Sequence, residues 1–188
     1  MLKFRKIKYK NFLSTGDHWN EIDFEKNNTN LIIGTNGSGK STMLDALTFA
    51  LFNKAFRKIN KSQLINTTNE RDCCVEIEFT INSKDYLVRR GIKPNIFDIE
   101  LNGNPLHKES DDRINQKLLE ENILKVNYKS FTQIVILGSS TFVPFMQLST
   151  SNRREVIEDL LDIRIFSAMN GLIKDKIRLQ KEQVRSLD

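Results

Sequence analysis

The chain has 188 residues, with 29 Lys and Arg against 24 Asp and Glu, a formal net charge of +5, and 39% hydrophobic residues. That is one domain's worth of chain with enough apolar content to fold, and no stretch nears the ~18 apolar residues of a membrane span. The start, MLKFRKIKYKNF, lacks the apolar segment of a signal peptide, and the only cysteines, Cys73 and Cys74, are adjacent, so a disulfide framework is excluded and a reducing cytoplasm is expected.

The charge is uneven. Residues 1–10 carry Lys3, Arg5, Lys6, Lys8 and Lys10 with no acid, and between Asp45 and Glu70 stand Lys54, Arg57, Lys58 and Lys61, again with no acid. Each cluster suits either a solvated face or a phosphate backbone.

In chain order, the first segment alternates Phe4, Ile7, Tyr9 and Phe12 with lysines, a strand whose slip between Phe4 and Ile7 predicts a bulge. A short strand is expected at Glu21–Phe24. The run Asn30-Leu31-Ile32-Ile33 reads as a buried strand leading into a glycine-rich loop, and a helix follows from Ser41 to about Phe52 with Met43, Leu47, Ala50 and Leu51 on one face. From Cys73 to Ile81 the period is two, which places Cys73 in the core and Cys74 at the surface. Asn82–Asp85 turns the chain into a strand at Tyr86–Arg90. Another at Ile96–Leu101 ends in Asn102-Gly103, a strong hairpin signal. Three or four consecutive antiparallel strands over residues 73–101 are therefore predicted.

Beyond Pro105, a helix is expected at about Ser110–Leu124, a short one around Tyr128–Thr132, and an apolar strand at Ile134–Leu137. The last segment predicts one long helix over about 152–188, with Asn152 and Glu155 as a capping box. Its stripe, from Ile163 through Phe166, Asn170, Ile173, Ile177, Gln180 and Val184 to Leu187, advances in steps of three and four, as in a coiled coil. Such a helix would extend ~55 Å, beyond the needs of the globule, and seek a partner.

The sharpest chemistry is Gly34-Thr35-Asn36-Gly37-Ser38-Gly39-Lys40-Ser41, which satisfies G-x-x-x-x-G-K-[ST]. Its glycines let backbone N–H groups converge on an anion, and the helix that follows adds its positive end. Lys40 is expected to reach the β- and γ-phosphates, Ser41 to place its hydroxyl on Mg²⁺, and Thr42 or backbone amides to hold the α-phosphate. Nucleotide binding follows. A GTPase is excluded, because Asn53-Lys54 and Asn60-Lys61 are followed by Ala55-Phe56 and Ser62-Gln63 in place of x-Asp. Consecutive antiparallel strands argue against a nucleotide kinase. No apolar run ends in Asp-Glu, and no Ser-Gly-Gly segment is present, so the chain can grip a nucleotide without the groups that hydrolyse it.

With those residues in view, the chain resembles the N-terminal ATPase lobe of the SbcC-type double-strand-break repair ATPases, relatives of the SMC proteins that include phage recombination endonuclease subunits. The resemblance rests on Lys8-Tyr9-Lys10-Asn11-Phe12-Leu13-Ser14, on Asn30–Ser41 with its helix, on Phe131-Thr132-Gln133-Ile134-Val135-Ile136-Leu137-Gly138, and on Arg153–Leu161. It implies an α/β fold, a P-loop NTPase lobe of the ABC-ATPase and SMC-head type, with an antiparallel β-subdomain and a C-terminal coiled-coil helix. Residues 1–150 would form the lobe and 151–188 the start of the coiled coil.

It further implies a split ATPase, whose missing hydrolytic groups lie in a C-terminal lobe. Two heads would dimerise on ATP and Mg²⁺, bind double-stranded DNA and gate an SbcD-type nuclease. At the position of the family's Mg²⁺-contacting Gln stands Ser139, and where many members have Arg stands Leu13. The resemblance places the adenine side near residues 12–15 and Asn66–Thr67, and offers Lys54, Arg57, Lys58, Lys61, Arg89, Arg90 and Lys93 as DNA contacts, largely independent of sequence. A clamp ATPase of SMC or RecF type without a nuclease is the alternative.

Overall fold

The computed structural model describes residues 2–106, 111–137, 143–161 and 163–185. Its contacts divide into two compact units, residues 1–128 and 129–188.

The first unit is an antiparallel sheet with helices packed against it. Strands β1 (Leu2–Lys10), β2 (Asn20–Asp23), β3 (Cys73–Ile81), β4 (Lys84–Ile92), β5 (Ile96–Leu101) and β6 (Asn104–Pro105) lie in the order β2-β1-β3-β4-β5-β6. The register of β1 on β3 shifts between Phe4 and Lys6, where the alternation of the sequence slips. Both tight turns rest on paired left-handed residues, Asn82 and Ser83 between β3 and β4, and Asn102 and Gly103 between β5 and β6. Period two sends Ile7, Val75, Ile77, Phe79 and Val88 to the core face.

Helix α1 (Lys40–Phe52) packs on that face. Single-face amphipathicity was the expectation for α1, but every residue from Asp45 to Phe52 is buried. A helix enclosed all round has no solvent stripe to display. Cys74 differs as well: it is buried together with Cys73, at the start of β3, where it is flanked by Lys10 of β1 and Gly91 of β4.

The chain segment before the loop departs furthest from expectation. Residues 30–33 form no strand, and Leu31 and Ile33 are each 82% exposed. A strand between two others needs a ladder on each side. The six strands of the sheet pair with one another, and no ladder among the described residues includes this segment.

Helix α2 (Asp112–Lys117) begins on the side chain of Asp111, which accepts from the Arg113 N–H, and widens into a π-helical stretch at Leu118–Leu124. Helix α3 (Tyr128–Ile134) follows.

In the second unit, residues expected as a strand at Ile134–Leu137 instead finish α3 and enter a turn. Helix α4 (Thr150–Leu160) is capped by Ser149, whose hydroxyl accepts from the Asn152 N–H, so the cap lies three residues earlier than the expected Asn152 box. The long helix is also divided: α4 ends at Leu160, and α5 runs over Arg164–Arg185. Within this unit Lys129 of α3 bonds to Asn152 and Glu155 of α4, at 2.6 and 2.8 Å, and the Ser130 hydroxyl donates to Asp159. Along α5, Phe166, Met169, Leu172, Ile173 and Ile177 all stand exposed.

Candidate nucleotide site

The loop 34–41 closes on itself as its motif requires. Gly37 and Gly39 take left-handed φ of +86° and +92°, which a side chain would strain. At Gly34 a Cβ would run into the Ser38 hydroxyl and approach its Cβ to 3.3 Å, so a side chain here would have to push Ser38 aside. The N–H of Ser38 donates to Thr35 O at 3.2 Å, and that of Thr42 to Gly39 O at 2.9 Å. Gly39 is the residue from which α1 starts, and no acid lies in the first turn of α1. The N–H groups of Lys40 and Ser41 precede the first intrahelical bond, and no carboxylate opposes the positive helix end.

Lys40 lies across the loop, its Nζ donating to the carbonyl oxygens of Gly34 (2.7 Å) and Thr35 (2.8 Å). The ammonium is thus held at the mouth of the ring of N–H groups by two neutral acceptors. An anion there offers it a charged partner and a stronger bond. Ser41 is exposed beside it and Thr42 is buried beneath. These residues fit a polyphosphate with its Mg²⁺. Among the described residues, no group of three or more His, Cys, Asp or Glu could hold a metal by itself.

The loop forms one wall of a cleft of about 510 Å³, through Asn36, Gly37, Gly39, Lys40, Ser41 and Thr42. Leu13, Ser14, Arg57, Gln63, Ile65 and Thr67 form the other. Leu13 and Asn11 have positive φ, so β1 ends in a tight turn that brings residues 13 and 14 to the cleft. Buried amides hold that turn: Asn11 donates to Asp17 at 3.1 Å and accepts from Asn69 at 2.6 Å.

Asn66, an expected adenine-side residue, belongs to this support. Its side chain donates to Thr15 O at 3.0 Å and accepts from the N–H groups of Thr68 and Asn69, both at 2.9 Å. Its neighbours Ile65 and Thr67 line the cleft instead. Ser139 lies outside the described residues.

Asp45 was not singled out in the sequence. It is fully buried on α1, one turn beyond Ser41, and accepts from the Arg57 backbone N–H at 2.9 Å, Nε at 2.7 Å and Nη2 at 2.6 Å. This fork fixes Arg57, proposed as a DNA contact, on the wall of the nucleotide cleft. An Asp on the apolar side of a helix was the available signal, since a buried carboxylate requires a partner.

The remaining expected DNA contacts separate. Lys54, Lys58 and Lys61 surround a second pocket, and Lys93 is exposed. Arg89 is paired with Glu76 at 2.6 Å, which raises its affinity for its proton. Arg90 is a correction. It is 3% exposed, points inward beside Val88, and donates to Ala50 O at 3.0 Å and Gln116 Oε1 at 2.6 Å, with Phe97 3.7 Å below its plane. Burial pulls its pKa down to about 9, against the opposing charges of Asp112 and Glu120. Arg90 therefore stabilises the carbonyl end of α1 and presents no face to a phosphate backbone.

A phosphate loop opening a buried helix under an antiparallel sheet defines a P-loop ATPase lobe of the SMC-head type. The chain belongs to the AAA_23 family, described as an AAA domain, whose model matches residues 6–187. It is 43% identical over 172 residues to exonuclease subunit 2 of Enterobacteria phage T4, covering 92% of this chain and 30% of that protein. It is 30% identical over 194 residues to the DNA double-strand break repair Rad50 ATPase of Sulfolobus acidocaldarius, covering 97% of this chain and 20% of that one. The fold matches a Smc head domain with an extended coiled coil from Pyrococcus furiosus, at TM-score 0.63, 23% identity, 97% of this chain and 48% of that one. The resemblance read from the sequence to repair ATPases of SMC kin holds, and the chain spans less than a third of the length of these two curated relatives.

Proposed function

We propose that this chain is the ATP-binding half of a DNA-repair or recombination ATPase, with residues 1–150 as the lobe and the coiled coil starting at 151–188. The observation that carries it is the closed loop 34–41 at the bare positive end of α1, with Lys40 held at its mouth.

Bound ATP–Mg²⁺ supplies the phosphoanhydride whose state the head reads. The chain's own residues bind and orient it. Loop N–H groups and the α1 end hold the phosphates, and Lys40 exchanges the carbonyls of Gly34 and Thr35 for the β- and γ-phosphate oxygens. Ser41 would give one oxygen to Mg²⁺, and Ser139, in the place of the family's Gln, would give a second or leave that place to a water. Asn66 positions the turn opposite, on the side where adenine is expected. The acid that activates water comes from a C-terminal lobe, whose strands pair with Leu31–Ile33 and cover that exposed segment.

Two heads then close on ATP, bind double-stranded DNA and gate an SbcD-type nuclease. The identity to phage exonuclease subunits favours this reading over a clamp without a nuclease.

Calorimetric titration of the chain with ATP–Mg²⁺ tests it. The wild type binds, Lys40→Ala weakens binding about a hundredfold by loss of a charge-assisted contact, and turnover is negligible until the C-terminal lobe is added. Equal affinity of the variant, or robust turnover by the chain alone, contradicts the proposal.

A further inference from the structure

The two walls of the nucleotide cleft are built separately. Outside α1, the hydrogen bonds of the phosphate loop stay within residues 34–42. Much of the opposite wall joins two segments far apart in sequence, the end of β1 and the stretch after the turn Lys61–Leu64. They meet at the bridge between Phe12 and Ile65, where the Leu13 N–H donates to Leu64 O at 2.7 Å and the Asn66 N–H to Asn11 O at 2.8 Å. Among the described residues no hydrogen bond joins these two segments to the loop 34–41.

Asn11 stands behind this wall, 1% exposed, and does not itself line the cleft. Its φ of +49° is one that Asn tolerates. Its Nδ2 donates to Asp17 Oδ1 at 3.1 Å and to Asp72 O at 3.4 Å, and its Oδ1 accepts from Asn69 Nδ2 at 2.6 Å. The Asn11 N–H donates to Gly16 O at 2.8 Å. One buried side chain therefore ties the turn that carries Leu13 and Ser14 to the turn that carries Thr67, and both to the chain entering β3. A short carboxamide supplies the two donors and the acceptor this needs, whereas an Asp would set a second carboxylate against Asp17 and the Asp72 carbonyl.

We propose that Asn11 is a positioning residue for the nucleoside end of the bound nucleotide, acting through Leu13, Ser14 and Thr67, while the loop holds the polyphosphate independently. The proposal rests on the ATP-binding reading above and divides its ligand between the two walls. Leu13 and Ile65 offer apolar surface to a base, and the hydroxyls of Ser14 and Thr67 offer hydrogen bonds to its edge or its ribose. Such groups gain affinity by being held at one spacing before the ligand arrives. Without the carboxamide, Asn69 and the Asp72 carbonyl lose their buried partner and both turns relax. The loop shares no hydrogen bond with them and keeps its shape.

The test is calorimetric titration of the whole chain with ATP–Mg²⁺ and with Mg²⁺–tripolyphosphate, which has the phosphates and no nucleoside. The wild type is expected to bind ATP the more tightly. Asn11→Gly keeps the left-handed backbone and removes the carboxamide alone. It should weaken ATP about tenfold, the scale of one lost hydrogen bond, and leave tripolyphosphate within about twofold. Asn69→Ala should shift ATP the same way by about threefold, and Asp17→Asn, which keeps an acceptor for Asn11, should restore nearly wild-type binding of both ligands. If Asn11→Gly does not fold, as circular dichroism would show, Asn69→Ala and Asp17→Ala carry the same comparison. Equal losses for the two ligands would make Asn11 a general support of the fold and overturn the proposal, as would unchanged ATP affinity. A wild type that binds tripolyphosphate as tightly as ATP overturns the nucleoside wall and leaves the phosphate loop intact. Binding of neither ligand overturns the nucleotide reading itself.

Discussion

The two acid-free basic clusters look alike in sequence and behave differently in the fold. On β1, Lys3 and Arg5 meet Glu25 at 3.1 and 3.0 Å, and Lys6 and Lys8 meet Glu21 at 2.9 and 3.5 Å. Lys10 meets Asp17 at 3.6 Å. The partners come from β2 and its flanks, set opposite β1 by the antiparallel register. In the segment 54–61, among the described residues only Arg57 forms an ion pair, with Asp45. A count of acids along the chain therefore says little about neutralisation. Strand pairing decides it.

The largest expected effect breaks the comparison at DNA. On the proposed DNA-binding reading, converting Lys58 and Lys61 to Gln is expected to lower duplex affinity about tenfold at moderate salt, as the loss of two phosphate contacts would. Converting Lys6 and Lys8 to Gln leaves it within about twofold, because those charges already face Glu21. Filter binding over a salt series reads both. Equal losses would put β1 on the DNA and erase the distinction.

Stability separates the ion pairs next. Arg57→Ala strands a fully buried Asp45 carboxylate, and costs about 3 kcal/mol, or roughly 6–12 °C in melting temperature. Lys6→Ala breaks a pair in open solvent and leaves the melting temperature essentially unmoved. Scanning calorimetry on the two variants distinguishes them, and a shift of the same size in both would mean that Asp45 is no more dependent on its partner than Glu21.

Much of this was readable in the residues, for identifiable reasons. The hairpin at Asn102-Gly103, the bulge after Phe4 and the loop 34–41 are local devices, encoded within a few residues of where they act. The inward Arg90 follows from the period that places Val88 inward, once charge is not taken as proof of exposure. What the sequence could not carry is context. Leu31–Ile33 and Ile134–Leu137 have the composition of buried strands, yet a strand exists only with neighbours to bond. The break between Leu160 and Arg164 has no glycine or proline to announce it, and Gly171 sits inside α5 unremarked.

A third effect sharpens the β1 side. Cys74 stands opposite Lys10 in the register, and a free cation there would favour its thiolate. Burial outweighs it and pushes the Cys74 thiol up to about 11, and that of Cys73 to about 12. A thiol reagent at pH 8 should label neither cysteine in the native protein and both in denaturant. Rapid native labelling of Cys74 would show that the β1 cations reach it unneutralised.

The smallest effect is on pH. Hydrogen bonds from Lys6 to Glu21 and from Arg5 to Glu25 hold both carboxyls below their ordinary value of 4.5. A carboxyl whose pKa is lower folded than unfolded binds fewer protons in the native state, so its contribution is complete above about pH 4.5 and disappears as pH falls through the depressed values. Melting temperature should therefore be flat in this respect near neutrality and decline on acidification. In Glu21→Gln with Glu25→Gln, the decline should be shallower, and the difference should shrink in high salt because the pairs are solvent-exposed. An identical acid limb in the variant would mean that β1's cations are neutralised in geometry only, with no energetic tie to the strand beside them.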